Sequence, residues 1–247
     1  MKRRSILLFA ASIAAFNVVA QDTPVQGGNA AQPGTSPAAE LPPAAARYRE
    51  QVIEMRSGRT RDGSWYFLRD GNLIETQNPE DKIAERWERD GAGRVTHARY
   101  FHLDRRIIDS SANELKSRGI EPDWARLGAP YDPRELAWLR KIGKTQALGQ
   151  PASVYRGRMG DASVEVVWLD QARLPARVTR TNKAGKSVLT LAELHRAAPP
   201  SWPKLDSQAT DEYQRIDVAD LGDMESDPFV ARVLRETRGG QPGGHAH

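Results

Sequence analysis

The stretch from residue 152 to residue 194 most constrains the fold, because charged and apolar side chains alternate along it between regularly spaced turn residues. The turns fall at Gly160-Asp161, after Asp170, and at Ala184-Gly185. Alternation with period two places every second side chain on the same face of a strand. The pattern predicts an antiparallel meander with one buried face, made of Ala152–Met159, Ala162–Leu169, Leu174–Thr181 and Val188–Leu194.

The half of the chain before this meander shows the same punctuation. Asp70-Gly71 is the strongest hairpin signal, because this pair tolerates the positive φ angles of a tight turn. The predicted strands here are Tyr48–Arg56, Ser64–Arg69, Leu73–Gln77, Ile83–Arg89, Arg94–Leu103 and Arg106–Ser110. With the meander, the chain is expected to form roughly ten strands in one sheet, which tends to curl when it is this large.

Helical signals interrupt and follow the strands. Ser111 opens a short helix, and Asp132-Pro133 is a helix start with Leu136, Leu139 and Ile142 at helical spacing before Gly143. These signals predict a helical insert over residues 111–142. Asp227-Pro228 repeats the start signal and precedes an apolar stripe of Phe229, Val230, Val233 and Leu234. Strands with segregated helices indicate an α+β fold.

The N-terminus predicts export. Lys2, Arg3 and Arg4 precede the apolar run Ile6–Phe16, and Val18-Val19-Ala20 offers small residues for cleavage after Ala20. We therefore expect a signal peptide over 1–20 and a mature periplasmic protein. A disordered linker rich in Pro, Gly and Ala is predicted over 21–46 and a disordered tail over 239–247, flanking a β domain at 47–205 and a C-terminal segment with a helix at 206–238.

Composition excludes several classes of function. The absence of cysteine removes disulfides, thiolate metal sites, cysteine nucleophiles and a bacterial lipid anchor. The signal contributes three of the 36 Lys and Arg residues and none of the 32 Asp and Glu residues, which leaves 33 basic against 32 acidic, a net charge of +1. A chain this close to neutral, without a basic block, is not expected to bind nucleic acid. No later segment is apolar enough to span a membrane.

The second half carries a resemblance to a known family. The strand ending in Trp168-Leu169-Asp170, followed by Leu174-Pro175 and a further strand, resembles the periplasmic lipoprotein-carrier superfamily of LolA- and LolB-like proteins. The resemblance covers about Tyr48 to Leu194. It implies a curved, half-open antiparallel β-barrel with short helices as a lid over an apolar concavity. No functional residue of the family aligns with a numbered position here, and the segment from Tyr213 to Arg235 has no counterpart.

Under this resemblance, alternate strand residues would line a cavity for a lipid or for the acyl chain of a lipoprotein. The alternative is that the same side chains fill a solid core, as they do in small barrels. The candidate ligand-binding residues are Trp65, Phe67, Trp87, Phe101, Val164, Val166, Trp168, Leu189 and Leu191.

The histidines and the known catalytic motifs do not indicate a metal site or an active site. His97 and His102 lie five residues apart on one strand and so point to opposite faces. His245 and His247 could bind a metal weakly, against the simpler reading of a tail without function. We expect no metal site, no cofactor and no catalytic residue, because no nucleophile motif or phosphate-binding loop is present.

The acidic run from Asp217 to Asp227 is the last candidate. Its carboxylates fall mainly three apart, which does not fit a calcium loop and favours capping and packing, with Asp227 as the cap before Pro228. Two functions therefore remain open. The first is a carrier of an apolar ligand. The second is an envelope scaffold with a filled core that docks a protein partner through Asp217–Arg235.

Overall fold

The structure is a computed structural model that describes residues 41–205 and 207–239. The predicted signal, the linker up to residue 40 and the tail from residue 240, with His245 and His247, lie outside these residues. Within the described ranges, no helix has the length and apolar character needed to cross a membrane.

The described chain forms one sheet of twelve strands. Its order is β12-β6-β5-β4-β3-β2-β1-β11-β10-β9-β8-β7. The strands are β1 Ala44–Glu54, β2 Thr60–Asp70, β3 Leu73–Asn78, β4 Ile83–Arg89, β5 Val95–Phe101, β6 Arg106–Ser110, β7 Arg140–Ala147, β8 Gln150–Met159, β9 Ala162–Leu169, β10 Leu174–Thr181, β11 Gly185–His195 and β12 Gln214–Asp217.

The sheet is open, with β12 and β7 at its two ends. Strand β1 lies in the middle, where it pairs with β2 on one side and with β11 on the other. Neighbouring strands are antiparallel except that β12 runs parallel to β6. The four-strand meander is confirmed as β8 to β11. The count of roughly ten strands was too low, because the two end strands were missed.

The helices are short, apart from the last. They are α1 Ala112–Ser117, α2 Trp124–Leu127, α3 Ser207–Thr210 and α4 Pro228–Gly239, with 3₁₀ helices over Pro133–Trp138 and Val218–Gly222. Ser111 caps α1 through a capping box with Glu114, as its sequence signal indicates. Asp227 caps α4, since its Oδ1 accepts the Phe229 N–H at 2.7 Å.

The helical insert predicted over 111–142 is wrong at its C-terminal end. Only Pro133–Trp138 is helical there, as a 3₁₀ helix, and β7 then begins at Arg140. Leu136 lies in this 3₁₀ helix, but Leu139 follows it with an extended backbone and Ile142 lies in β7, so the three residues do not share one helix. Gly143 does not stop a helix but lies within β7, where the register shifts between Lys141 and Gly143.

The two faces of the sheet have different covers. The helix face, defined as the face that carries Tyr48, Trp65 and Val166, is covered by parts of the segment 111–139 and by α4. The opposite face, over β3 to β6, is crossed by residues 196–205, which we call the crossing segment. Leu205 of this segment is buried against Ala84, Tyr100 and Ile107, and its Pro203 carbonyl accepts the Gln77 Nε2–H at 3.3 Å.

A buried arginine joins three distant parts of the chain. Arg69 is 1% exposed, and its guanidinium donates to the carbonyls of Pro42 (2.8 Å), Ala172 (2.7 Å) and Gly128. Burial lowers the pKa of Arg69 to about 10, partly offset by Tyr48. These bonds fix the entry to β1, the end of α2 and the β9–β10 turn relative to β2.

The start of the sheet also differs from the sequence prediction. Strand β1 begins at Ala44, and Ala44, Ala45 and Ala46 are all buried, although the linker was predicted to extend to residue 46. Three alanines in a Pro- and Ala-rich stretch give no strand signal by themselves. The small side chains of Ala44 and Ala46 pack in the central cluster with Phe67 and Leu191.

Candidate ligand-binding face

The register of the sheet places all nine candidate residues on the helix face. Trp65 pairs with Tyr48, which pairs with Leu191, so these three side chains lie side by side. Across the meander, Leu189 pairs with Val178, and Val178 pairs with Val166. Cross-strand partners project to the same face. By the same alternation the face also includes Phe67, Trp87, Phe101, Val164 and Trp168.

Six of the nine are buried, and they fall into three packed clusters. Phe67 and Leu191 lie in the central cluster, with Trp124 and Leu127 of α2 against it. Phe101 lies under α4, with its ring edge-on to Phe229 at 4.9 Å. The third cluster packs under Tyr131 and Leu139 and contains Val164, Val166 and Trp168. These six side chains are core residues in the present conformation.

The other three candidates, Trp65, Trp87 and Leu189, are only partly buried at the margin of this core. Trp65 stacks on Tyr48 with 5.0 Å between ring centroids, and Trp87 stacks on His97 at 4.0 Å. Two large aromatic side chains and a leucine thus remain accessible on the helix face. Apolar surface that is continuous with a core and still reaches solvent is a typical contact surface for an apolar ligand.

A polar group lies beside Trp87 on the same face. The Glu85 carboxylate lies 3.7 Å from His97 Nε2 and 3.7 Å from Arg99 Nε. Burial opposes its ionisation, but the nearby His97 and the charge of Arg99 hold the pKa of Glu85 below its usual value. Neither nitrogen atom has a partner within hydrogen-bonding distance. Sequence reasoning missed this group, because its members come from two strands.

A second carboxyl on the helix face is affected mainly by burial. Glu50 pairs in register with Leu189 of β11, and burial raises its pKa, with Arg61 partly opposing the rise. The helix face is therefore apolar at its centre and carries isolated charges toward its borders. Such an arrangement suits a ligand with a long apolar part.

The opposite face has a cavity of about 250 Å³ beneath the crossing segment. At its floor Glu75 accepts two hydrogen bonds from Arg86, at 2.9 and 2.6 Å, and burial raises the pKa of Glu75 despite this partner. Tyr66 and Trp202 meet at its wall with ring centroids 4.8 Å apart. None of the nine candidates except Phe67 lines this cavity.

The histidines and the acidic run have structural partners. His97 stacks on Trp87, and His102 lies on the other face with its Nδ1 2.9 Å from the Tyr213 hydroxyl. Asp217 caps the 3₁₀ helix Val218–Gly222, as Asp227 caps α4. Among the described residues, no group of three or more His, Asp or Glu side chains is placed to hold a metal ion.

No protein-family model matches the sequence, and no curated protein matches it either. Solved structures show distant likeness. A LolA superfamily protein from Nitrosomonas europaea has 8% identity and a TM-score of 0.32, over 65% of this chain and 88% of that one. A DUF1329 family protein from Desulfovibrio piger has 9% identity and a TM-score of 0.31, over 70% and 92%.

A third likeness is to PNGF-II, with 12% identity and a TM-score of 0.40 over 74% of this chain. This chain spans only 33% of the length of PNGF-II. The LolA superfamily protein and the DUF1329 family protein share only a distant likeness with this chain. At such low identities and TM-scores these likenesses carry no argument about ligand, partner or activity, which must come from the residues of this chain.

Proposed function

We propose that this chain is an exported, non-catalytic periplasmic protein that binds or carries a hydrophobic or lipidated ligand on its helix face. The observation that carries the proposal is the partial exposure of Trp65, Trp87 and Leu189 beside the apolar core of that face. The signal pattern at residues 1–20 supports export, with cleavage after Ala20.

The free energy available to an acyl chain depends on how much of it is buried. Each buried methylene contributes about 0.8 kcal/mol, so about 14 fully buried methylenes contribute about 11 kcal/mol. Association costs about 4 to 15 kcal/mol in lost freedom, so net binding requires burial of most of the acyl chain. An acyl chain lying only on the three half-exposed residues would bury too little surface, so a tightly held chain must extend deeper.

The deeper part of the proposed site lies under the insert. Tyr131, Leu136 and Leu139 now cover Val166 and Trp168, and they belong to a segment with only short helices. In the proposal, these three residues move aside when an acyl chain enters. The acyl chain then occupies their position over the meander. The buried candidates then change from core residues to ligand contacts without any change in the sheet.

The alternative of a partner docked on Asp217–Arg235 is disfavoured by packing. Leu221 and Phe229 are buried against Ile108 and Ile216, and Val218 and Met224 pack on the same cluster. The apolar side chains that were to anchor a partner already stabilise the end of the sheet. This segment therefore does not offer them to a second protein.

The test begins with the full chain expressed with its own N-terminus in a Gram-negative host. We expect it in the periplasmic fraction with Gln21 as its first residue, and we expect native mass spectrometry to detect bound lipid. Purified and delipidated protein should also bind an apolar fluorescent dye that a long-chain fatty acid displaces. A periplasmic protein that carries no lipid and binds no dye would overturn the carrier function.

A pair of neighbouring variants localises the site. Leu189→Gln places an amide on the helix face, whereas Thr190→Gln changes an exposed residue that projects to the opposite face. We expect dye affinity to fall at least fivefold for Leu189→Gln and to stay within twofold of wild type for Thr190→Gln. Equal losses in both variants would contradict placement of the ligand on the helix face.

A further inference from the structure

The end strand β7 is exposed along almost its whole length. Seven of its eight residues are exposed, and it pairs with β8 on one side only. The backbone N–H and C=O groups on its other side have no strand partner within the described chain. An edge of this kind is a template for the addition of another strand.

Large apolar side chains collect at this edge. Trp138 is 69% exposed, Ile142 40% and Leu148 50%, and they are three of the six exposed large apolar residues in the described part of the chain. Trp138 immediately precedes β7, Ile142 lies within it, and Leu148 follows it. Exposed apolar side chains spaced along one strand edge offer contacts to a segment that lies along the edge.

The turn at the end of β7 adds an independent signal. Leu148 has φ +50° and Gly149 has φ +73°, so a leucine occupies a left-handed position that usually takes Asn, Asp or Gly. A leucine in this conformation costs about 1 to 2 kcal/mol. Leu148 is also half-exposed, so burial within the chain does not offset this cost.

The exposed residues of the β7 edge are mainly basic, which favours an acidic partner. Arg140, Lys141 and Lys144 are exposed on β7, and Arg158 extends the basic surface on β8. Basic residues on an edge strand keep identical edges from pairing, because like charges then lie opposite each other. They do not explain the exposed tryptophan and leucine, and they attract an acidic strand.

We propose that β7 binds an extended acidic segment of a second protein, which adds to the sheet as a thirteenth strand. Its backbone pairs with the free edge of β7, its carboxylates face Lys141 and Lys144, and its apolar side chains cover Trp138, Ile142 and Leu148. An anionic membrane would satisfy the same charges and apolar groups, but it offers no ladder of hydrogen bonds to the strand edge. The interaction is independent of the carrier function.

The probe is a synthetic ten-residue peptide of alternating Glu and Val, with a Lys and Val peptide as its counterpart. Binding to the full chain is measured by fluorescence anisotropy at low salt and at 0.3 M salt, and the binding site by amide hydrogen exchange. We expect the acidic peptide to bind, to lose affinity in salt because exposed charges are screened, and to protect amides within Arg140–Ala147. The lysine peptide should not bind.

Two double variants with the same change in net charge locate the effect. Lys141→Glu with Lys144→Glu reverses the edge, whereas Lys116→Glu with Lys183→Glu reverses two exposed lysines elsewhere. We expect at least a tenfold loss of affinity for the edge variant and at most a twofold loss for the control.

Several outcomes overturn the proposal. These are equal losses in the two double variants, protection confined to other strands, and no binding of the acidic peptide. Concentration-dependent dimers seen by sedimentation that protect the β7 amides would assign the edge to a second copy of the chain. Binding to phosphatidylglycerol vesicles in place of the peptide would assign it to a membrane surface.

Discussion

The chain contains two Asp-Pro helix starts, one near each end of the sheet. One is followed by a long helix and the other by a short helix and an exposed strand. Asp227-Pro228 opens the twelve-residue helix α4, which covers the end near β6 and β12. Asp132-Pro133 opens a six-residue 3₁₀ helix, after which the chain becomes the exposed strand β7. The cap signal predicts where each of the two helices begins, but it does not predict how far each one continues.

The two spacings differ in period. Behind Asp227, the apolar residues 229, 230, 233 and 234 form a stripe with the 3.6-residue period of an α-helix. Behind Asp132, the apolar residues 136, 139 and 142 recur every third position. Of this second set only Leu136 is helical, because the 3₁₀ helix ends at Trp138 and the chain is extended from Leu139 onward. Three apolar residues at this spacing therefore gave a false helix over residues 139–142.

The strongest test of this comparison removes the aromatic side chain with which α4 packs on the end of the sheet near β6 and β12. Phe229→Ala should lower the free energy of unfolding by about 3 to 4 kcal/mol, because a buried aromatic ring leaves a cavity against Phe101. Leu136→Ala, at a half-buried position behind Asp132, should cost much less. Urea unfolding measures both, and equal losses would remove the distinction between the two ends.

The cap of α4 gives a smaller effect that depends on pH. Hydrogen bonds from the backbone N–H of Phe229 and then of Val230, with the charge of Arg106, hold the pKa of Asp227 below its usual value. A lowered pKa means that the carboxylate stabilises the folded state above the ordinary aspartate pKa, near 4, and that this stability is lost as the pH falls through the lowered value.

Asp227→Ala should therefore lower the melting temperature at pH 7, and the difference from wild type should shrink below about pH 4. Asp223→Ala serves as the control, since its side chain is exposed and it caps the 3₁₀ helix Val218–Gly222 only through its backbone N–H, which alanine retains. A difference that persists unchanged at pH 2.5 would show that the ionised cap does not stabilise α4.

At the end of the sheet formed by β7, Leu148→Asn should stabilise the protein. Asparagine tolerates the φ of +50° and exposes no apolar surface, so we expect a gain of about 1 kcal/mol in the free energy of unfolding. Unfolding in urea measures the gain. If the same variant loses affinity for the acidic peptide, leucine is retained at this turn for binding at the expense of stability.

The smallest effect is expected at Ile142. Because this side chain is 40% exposed on an edge strand, Ile142→Lys should change the free energy of unfolding by no more than about 0.5 kcal/mol. Val233→Lys, which places a charge in the buried stripe of α4, should be severely destabilising. A large loss for Ile142→Lys, also measured in urea, would restore the helical interpretation of residues 139–142.

The candidate site was predictable in part. Alternation assigned the candidate residues of each strand to one face because a strand has a period of two, and in the register of the sheet all nine share the helix face. Alternation contains no information on which of them an insert covers, so it did not separate Trp87 from Val166. Nor did it bring Glu85 beside His97 and Arg99, because cross-strand neighbours depend on the register of β4 and β5.

Local sequence by itself determined the meander, the hairpin at Asp70-Gly71 and the helix starts after Ser111, Asp132 and Asp227, because alternation, turn chemistry and capping act within a few residues. Only the tertiary structure placed β12 beside β6, brought Ala44 to Ala46 into the core and surrounded Arg69 with three distant carbonyls. These contacts join residues far apart in the chain. Their free energy comes from burial and from hydrogen bonds that exist only when the whole sheet has assembled.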